Sequence, residues 1–338
     1  MSSLRLAIIG CGEWSSRMHL PALGKLARTQ DVGFVAVCDL EKERAETYAR
    51  QLAQRAGQAE VPAVHSDLKK MLEACRPDGV LVLVGPAAAS AVIGVVAEKG
   101  VAFLTEKPPA AYSAAHRCLI DQVKDLPHVV GYNRRHAPYI QQAIRWLANA
   151  QVQCVTCLFS RCRRREADFT TTAVHAIDTV RYLAGAAFTR LRIDAAPAGQ
   201  AVSYFVNGWA DNGARIDILM TPDTASAVEH YIVRSQERTG FVSFPQVGMM
   251  DVPGFVELHE ENKVVARMTP ADFGIESDDF PTLGGILAEQ TLFCQALRGQ
   301  AKPIATLANT LQTQLVREAL SRLLAEGGRG TIDMDFEE

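Results

Sequence analysis

Residues 4–23 read LRLAIIGCGEWSSRMHLPAL, an apolar run that stops at Gly10-Cys11-Gly12 and passes into a helix-like segment. Leu4 to Ile9 has the length of a strand, and the two glycines give the backbone the freedom of a tight turn. A strand ending this way before a helix leaves backbone N–H groups uncovered at the helix N-terminus, an arrangement that holds the pyrophosphate of a dinucleotide. Gly10 permits the turn and Gly12 admits the phosphate, and Glu13 and Trp14 directly behind them join the candidate cofactor contacts. Ser15 stands where a third glycine completes the fingerprint, so the turn alone also fits a plain strand-to-helix connection.

Asp39 strengthens the dinucleotide reading. It sits at the tip of a second strand, Val32 to Cys38, where an acid accepts hydrogen bonds from the adenosine ribose hydroxyls. An unpaired carboxylate repels the 2′-phosphate of NADP and so favours NAD, while Lys42 and Arg44 nearby keep NADP open. A methyltransferase using S-adenosylmethionine shares this pair of features, so the pair does not by itself name the cofactor.

The chain has 338 residues, enough for two cores. Up to residue 130 short β-like runs (Leu4 to Ile9, Val32 to Cys38, Gly79 to Val84, Val101 to Thr105, His128 to Gly131) alternate with helical stretches. Such alternation predicts a doubly wound parallel sheet with helices on both faces. After a helix at Pro138 to Asn149 the texture is strand-rich from Gln153 to Met268, interrupted by one helix at about Thr171 to Ala184. This predicts an open, mostly antiparallel sheet, closed by helices at about Thr282 to Arg298 and Ala305 to Ala325. The expected organisation is a Rossmann domain over 1–130 and an α/β domain for substrate binding and oligomerisation over 131–338.

A formal charge of −3 gives no general electrostatic grip on nucleic acid. No apolar run reaches the roughly 18–20 residues that cross a bilayer, and Met1 to Ser3 are too few for a secretory leader. The eight cysteines are scattered, several in apolar runs, as expected for reduced thiols in a cytoplasmic protein. Cys154 and Cys157 have zinc-like spacing, but residues three apart in a strand face opposite sides and no second ligand pair follows, so no metal site is expected.

Glu106-Lys107-Pro108 follows the apolar strand at Val101, which puts a lysine at the carboxyl edge of the sheet, where open α/β folds bind their ligands. With Gly10-Cys11-Gly12 and His19-Leu20-Pro21, with Gly131-Tyr132-Asn133-Arg134-Arg135, and with His175-Ala176-Ile177-Asp178 ahead of Arg181-Tyr182-Leu183-Ala184-Gly185, the chain resembles the Gfo/Idh/MocA family of nicotinamide-dependent oxidoreductases. The resemblance implies hydride exchange between NAD(P) and a sugar, inositol or related polyol or its ketone. It implies catalytic roles for Lys107 and His175, with Lys107 also touching the cofactor beside Glu106, and a cis peptide before Pro108. It also implies a homodimer or homotetramer formed through the open sheet.

Many members carry Asp four residues before the histidine, whereas this chain has Thr171, on the same helix face as His175. A hydroxyl can hydrogen-bond a substrate but carries no charge at neutral pH. Asp168 could reach the pocket from the preceding loop, and Asp178 could support the helix or the histidine. Asn133 and Arg134 are candidate substrate contacts. The run Arg161, Arg163, Arg164, Arg165 reads either as a recognition element for a carboxylate or phosphate, with Arg163 the candidate contact, or as a solvated loop. Two rival functions use the same scaffold: NAD-dependent glycoside hydrolysis, and dinucleotide binding without catalysis.

Overall fold

The computed structural model describes residues 3–123, 125–164, 169–245 and 252–336. It divides into two compact units, Met1–Asn133 with Gly285–Leu311, and Arg134–Gly284 with Gln312–Glu338.

The first unit is built on a six-stranded sheet of β1 (Leu4–Ile9), β2 (Val32–Cys38), β3 (Ala63–His65), β4 (Gly79–Val82), β5 (Ala102–Thr105) and β6 (His128–Val130). All neighbours are parallel, in the order β3-β2-β1-β4-β5-β6. The order reverses between β1 and β4, the switch point at which doubly wound sheets bind ligands. Helices α1 (Leu20–Thr29), α2 (Lys42–Ala56), α3 (Leu68–Cys75), α4 (Pro86–Glu98) and α5 (Ser113–Gln122) connect the strands. Covered on both faces, β1 can be almost continuously apolar, and only Arg5 of its six residues is exposed. The sequence pattern missed β3, which has three residues and no buried position.

The second unit contains helices α6 (Pro138–Trp146) and α7 (Thr170–Ala184). Its strands are β7 (Cys154–Cys162), β8 (Phe188–Ala198), β9 (Ala201–Ala210), β10 (Arg215–Thr224), β11 (Val228–Arg234), β12 (Arg238–Ser243), β13 (Phe255–Glu260), β14 (Lys263–Met268) and β15 (Gly330–Asp335). The sheet order is β14-β13-β12-β11-β7-β10-β9-β8-β15, antiparallel throughout except between β7 and β10. Alternation defines its faces. Tyr204, Val206, Ile216, Ile218 and Met220 are buried, whereas Phe205 and Trp209 remain 43% and 47% exposed on the other side. β15 was not anticipated, because its residues are mostly exposed and polar.

The expected helix from Thr282 to Arg298 is two helices, α8 (Phe280–Leu283) and α9 (Ile286–Leu297). They part at Gly284-Gly285, where Gly285 takes φ +88°, a left-handed conformation that interrupts the helix. The break also corrects the expected domain boundary. Phe293 and Cys294 of α9 belong to the core that holds Leu6, Ile8 and Leu104, so this stretch returns to the first unit. α10 (Leu307–Ala325) follows, and its Val316, Leu320 and Leu323 join the second core with Val155, Ile177 and Tyr231.

Charge is buried in the second unit. Glu229 on β11 is fully buried and accepts from Arg134 Nε at 2.9 Å, Arg134 Nη2 at 3.1 Å, Arg161 Nη2 at 2.5 Å and the Tyr231 hydroxyl at 2.7 Å. Burial alone pushes this carboxyl up, but the two guanidiniums and the phenol outweigh it and hold it at about 2. Arg135 forms a second buried pair, donating to both oxygens of Asp178 at 2.8 and 2.6 Å, with the Thr313 hydroxyl on Asp178 at 3.1 Å.

Glu229→Gln leaves two buried guanidiniums without their counter-charge and is expected to cost about 3–5 kcal/mol at neutral pH. Because the folded carboxyl titrates below the unfolded one, its contribution is complete above the ordinary glutamate range and is lost as pH falls toward about 2. Denaturant melts of both proteins at several pH values check this, with the gap expected to close on acidification.

Candidate active site

At the tip of β1, Gly10 takes φ +95°, and a Cβ there would lie 2.6 Å from the carbonyl oxygen of Leu83. Its N–H donates to Cys38 O at 2.9 Å, and Leu83 N–H donates to Ile9 O at 2.7 Å, so the turn is pressed between the tips of β2 and β4. Gly12 differs, since a Cβ there would meet nothing within 4 Å. The chain re-enters helix at Glu13 and runs through a π-helical turn, Ser15–His19, into α1. Ser15, in place of the third glycine, is buried and donates to the Tyr48 hydroxyl at 3.0 Å, so its side chain turns into the core. The tight first glycine, the space over the second and the free helix start fit a dinucleotide pyrophosphate.

Asp39 lies against this turn. Its Oδ2 accepts the Cys11 N–H at 2.7 Å, its Oδ1 accepts the Glu41 N–H at 2.9 Å, and Arg44 Nη2 closes on Oδ1 at 2.6 Å. Burial works against the charge, but Arg44 and the two N–H groups hold the carboxyl below the usual aspartate range. Arg44 also pairs with Glu41 at 2.9 Å, and with Ser16, Thr47 and Tyr48 these residues line a depression of about 480 Å³. The sequence pattern left Asp39 free for a ribose, whereas here it is already engaged by Arg44, whose side chain remains 41% exposed.

Glu106 N–H donates to Val82 O at 2.9 Å, which seats the triplet beside β4 at the same edge, and the Lys107–Pro108 peptide is cis. The Glu106 carboxylate accepts from His19 Nε2 at 2.7 Å, from Trp14 Nε1 at 2.9 Å and from the Lys107 N–H at 3.1 Å. Burial raises its pKa, yet these donors and the charge of Lys107 hold it below the usual glutamate range. Lys107 is half-buried and Asn133 is buried. Gly131 N–H donates to Thr105 O at 2.6 Å, which draws the tip of β6 against the triplet. Glu13 is exposed and pairs with Arg17.

In the second unit, His175 is 5% exposed on α7, and half-buried Thr171 lies four residues before it on the same face. Arg134, expected to contact substrate, is engaged by Glu229, and Asp178, expected to support the helix or the histidine, pairs with Arg135. Of the arginine run, Arg161 is buried on Glu229, while Arg163 and Arg164 are exposed. Arg165, Glu166 and Asp168 lie outside the described residues. His19 was read only as part of a motif, and Gln290, whose Nε2 meets His19 Nδ1 at 3.1 Å, gave no signal because its partner lies far away in sequence.

Among the described residues, no cluster of three or more His, Cys, Asp or Glu side chains is arranged to hold a metal. No helix there is long and apolar enough to cross a membrane. All eight cysteines are free, and burial pushes the Cys11 and Cys38 thiols up to about 12 and about 11.

The strand order, the glycine turn and the acid after β2 together define a Rossmann fold of the dinucleotide-binding type. Residues 4–134 match the family GFO_IDH_MocA, described as oxidoreductase family, NAD-binding Rossmann fold. A D-glucoside 3-dehydrogenase of Escherichia coli (strain K12) is 31% identical over 135 residues, 40% of this chain. That match spans only 36% of the relative's length. A Gfo/Idh/MocA family oxidoreductase from Vibrio cholerae superposes with a TM-score of 0.77 at 18% identity, covering 96% of this chain and 99% of that one. An oxidoreductase from Agrobacterium radiobacter, crystallised with NAD+, L-tartaric acid and magnesium, gives 0.76 at 16% identity over 98% of each chain. These structural likenesses show the shared fold.

The two glycines are expected to fail differently. Gly10→Ala strains the backbone and meets Leu83, costing about 1–3 kcal/mol of stability together with NAD affinity. Gly12→Val fills open space, leaving the melting temperature near wild type while weakening NAD binding at least tenfold. Thermal melts with and without NAD, together with calorimetric titration, separate the two cases.

Proposed function

We propose that the protein is an NAD-dependent dehydrogenase or reductase that interconverts a carbinol and a carbonyl on a sugar, inositol or related polyol. One observation carries this reading: the Glu106 carboxylate accepts the indole N–H of Trp14, two residues beyond Gly12, so the Glu106-Lys107-Pro108 triplet is tied to the dinucleotide turn. The family match over this unit and the name of the Escherichia coli relative support the sugar class.

When bound, the nicotinamide accepts or supplies the hydrogen and electron pair of the carbinol carbon. Lys107 holds and polarises the substrate oxygen. The His175 imidazole, a group that exchanges protons near neutral pH, takes the hydroxyl proton in oxidation and returns it in reduction. Thr171 supplies a hydrogen bond without a charge, which leaves His175 the titratable group on that face of α7. Asn133 contributes a further polar contact, and exposed Arg163 is assigned to an anionic group, such as the carboxylate of a uronate or the phosphate of a nucleotide sugar. Arg134 serves this site by holding its surroundings, through Glu229.

Asp39, kept ionised, favours NAD, and Arg44 beside the depression gives NADP a weaker foothold. The open face of the nine-stranded sheet, with Phe205 and Trp209, is assigned to self-association as a dimer or tetramer in the cytoplasm.

The test follows reduced-nicotinamide absorbance with NAD and NADP against a panel of polyols, uronates and nucleotide sugars. The wild type is expected to reduce NAD with at least one of them. Lys107→Met is expected to lower kcat by about 10²–10⁴-fold while NAD affinity stays within about threefold. Bound NAD that no substrate reduces overturns the reading, and sugar release without net reduction points to hydrolysis instead.

A further inference from the structure

Four side chains form one hydrogen-bonded chain inside the first unit. Gln290 Nε2 donates to His19 Nδ1 at 3.1 Å, which leaves His19 Nε2 as the donor to Glu106 Oε1 at 2.7 Å. Trp14 Nε1 donates to the same oxygen at 2.9 Å, and the Lys107 main-chain N–H donates to Oε2 at 3.1 Å. His19 and Gln290 are closed to solvent, at 0% and 1% exposure. A buried imidazole against a mostly buried carboxylate is costly to desolvate, and apolar side chains of similar volume hold a core at least as well. The polar chain is therefore poor cement, but it is a good means of fixing direction.

We propose that His19 and Gln290 are positioning residues that hold the Glu106 carboxylate in one orientation. Oε1 then fixes Trp14 beside the glycine turn while Oε2 fixes the main chain of Lys107. Occupation of the turn by the dinucleotide and alignment of the lysine become one coupled event. The fold explains where the parts come from. The π-helical turn Ser15–His19 presents the imidazole inward, and α9, returning to this unit after Gly285, supplies Gln290 beneath it.

The consequence for catalysis rests on the dehydrogenase reading, but the binding consequence does not. Glu106 is faced by His19 and Trp14 from the first helical segment and by Lys107 from its own. Without the His19 donor, burial dominates and the carboxyl takes up a proton at higher pH. With Trp146 and Trp209 changed to Phe, Trp14 is the sole tryptophan, so its emission reports on the turn. In that background, NAD is titrated by Trp14 emission and by calorimetry from neutral pH downward, for the parent, His19→Ala, His19→Gln and Glu106→Gln.

His19→Ala is expected to weaken NAD about tenfold, damp the Trp14 response and move the acid limb of binding up by about one pH unit. His19→Gln keeps an N–H aimed at Glu106 and is expected to restore most of both. Glu106→Gln keeps the shape and abolishes the acid limb, which maintains the test if His19→Ala does not fold. Parent-like affinity, emission and acid limb in His19→Ala overturn the proposal. So does a His19→Gln protein as impaired as His19→Ala, because ring volume then explains the effect. If the parent binds NAD with this full pattern but reduces it with no substrate, the dehydrogenase reading fails while the positioning chain stands.

Discussion

A carboxylate largely withdrawn from water keeps its charge where donors surround it, and Glu106, with its side chain 13% exposed, is the place where that demand shapes the candidate site. Its donors come from the residues just past the glycine turn, Trp14 and His19, and from the main chain of Lys107. Two segments almost ninety positions apart are thereby held at one sheet edge, one following the glycine turn and one carrying Lys107. The neighbouring turn is equally constrained, because the pressure of Leu83 on Gly10 leaves the chain no other path out of β1.

The second unit spends its arginines differently. Arg134, Arg135 and Arg161 are drawn inward by Glu229 and Asp178, and these pairs brace the elements around α7. A guanidinium held on two oxygens of a buried carboxylate is poorly available to a ligand. Under the proposed reading, recognition of substrate then falls to Thr171 and His175 on one face of α7. A neutral threonine in place of the family's acid keeps that face a hydrogen-bonding surface with a single titratable group between residues 171 and 175.

What could be read from the chain beforehand follows from how local each signal is. β1 and β2 were legible to the residue because a mostly apolar run bounded by turn residues marks each of them. The glycine turn and the Glu106-Lys107-Pro108 triplet could be located because each is a few contiguous residues at the end of an apolar strand. The pairing of Arg134 with Glu229 left no mark in the sequence, since the two residues are 95 positions apart. Arg161 was hidden for the same reason inside what looked like one surface run. The return of α9 escaped because a helix carries no mark of which core it will join, and with it escaped Gln290. β3 was lost to its three-residue length and β15 to its exposed, largely polar composition.

The central claim is that this fold transfers hydrogen between a polyol carbon and nicotinamide. Its most direct measurement uses polyols carrying deuterium on the carbinol carbon, followed by mass analysis of the recovered cofactor. Deuterium on the reduced nicotinamide, at one atom per turnover, is the result predicted. Product formed with the label in solvent and none in the cofactor contradicts it.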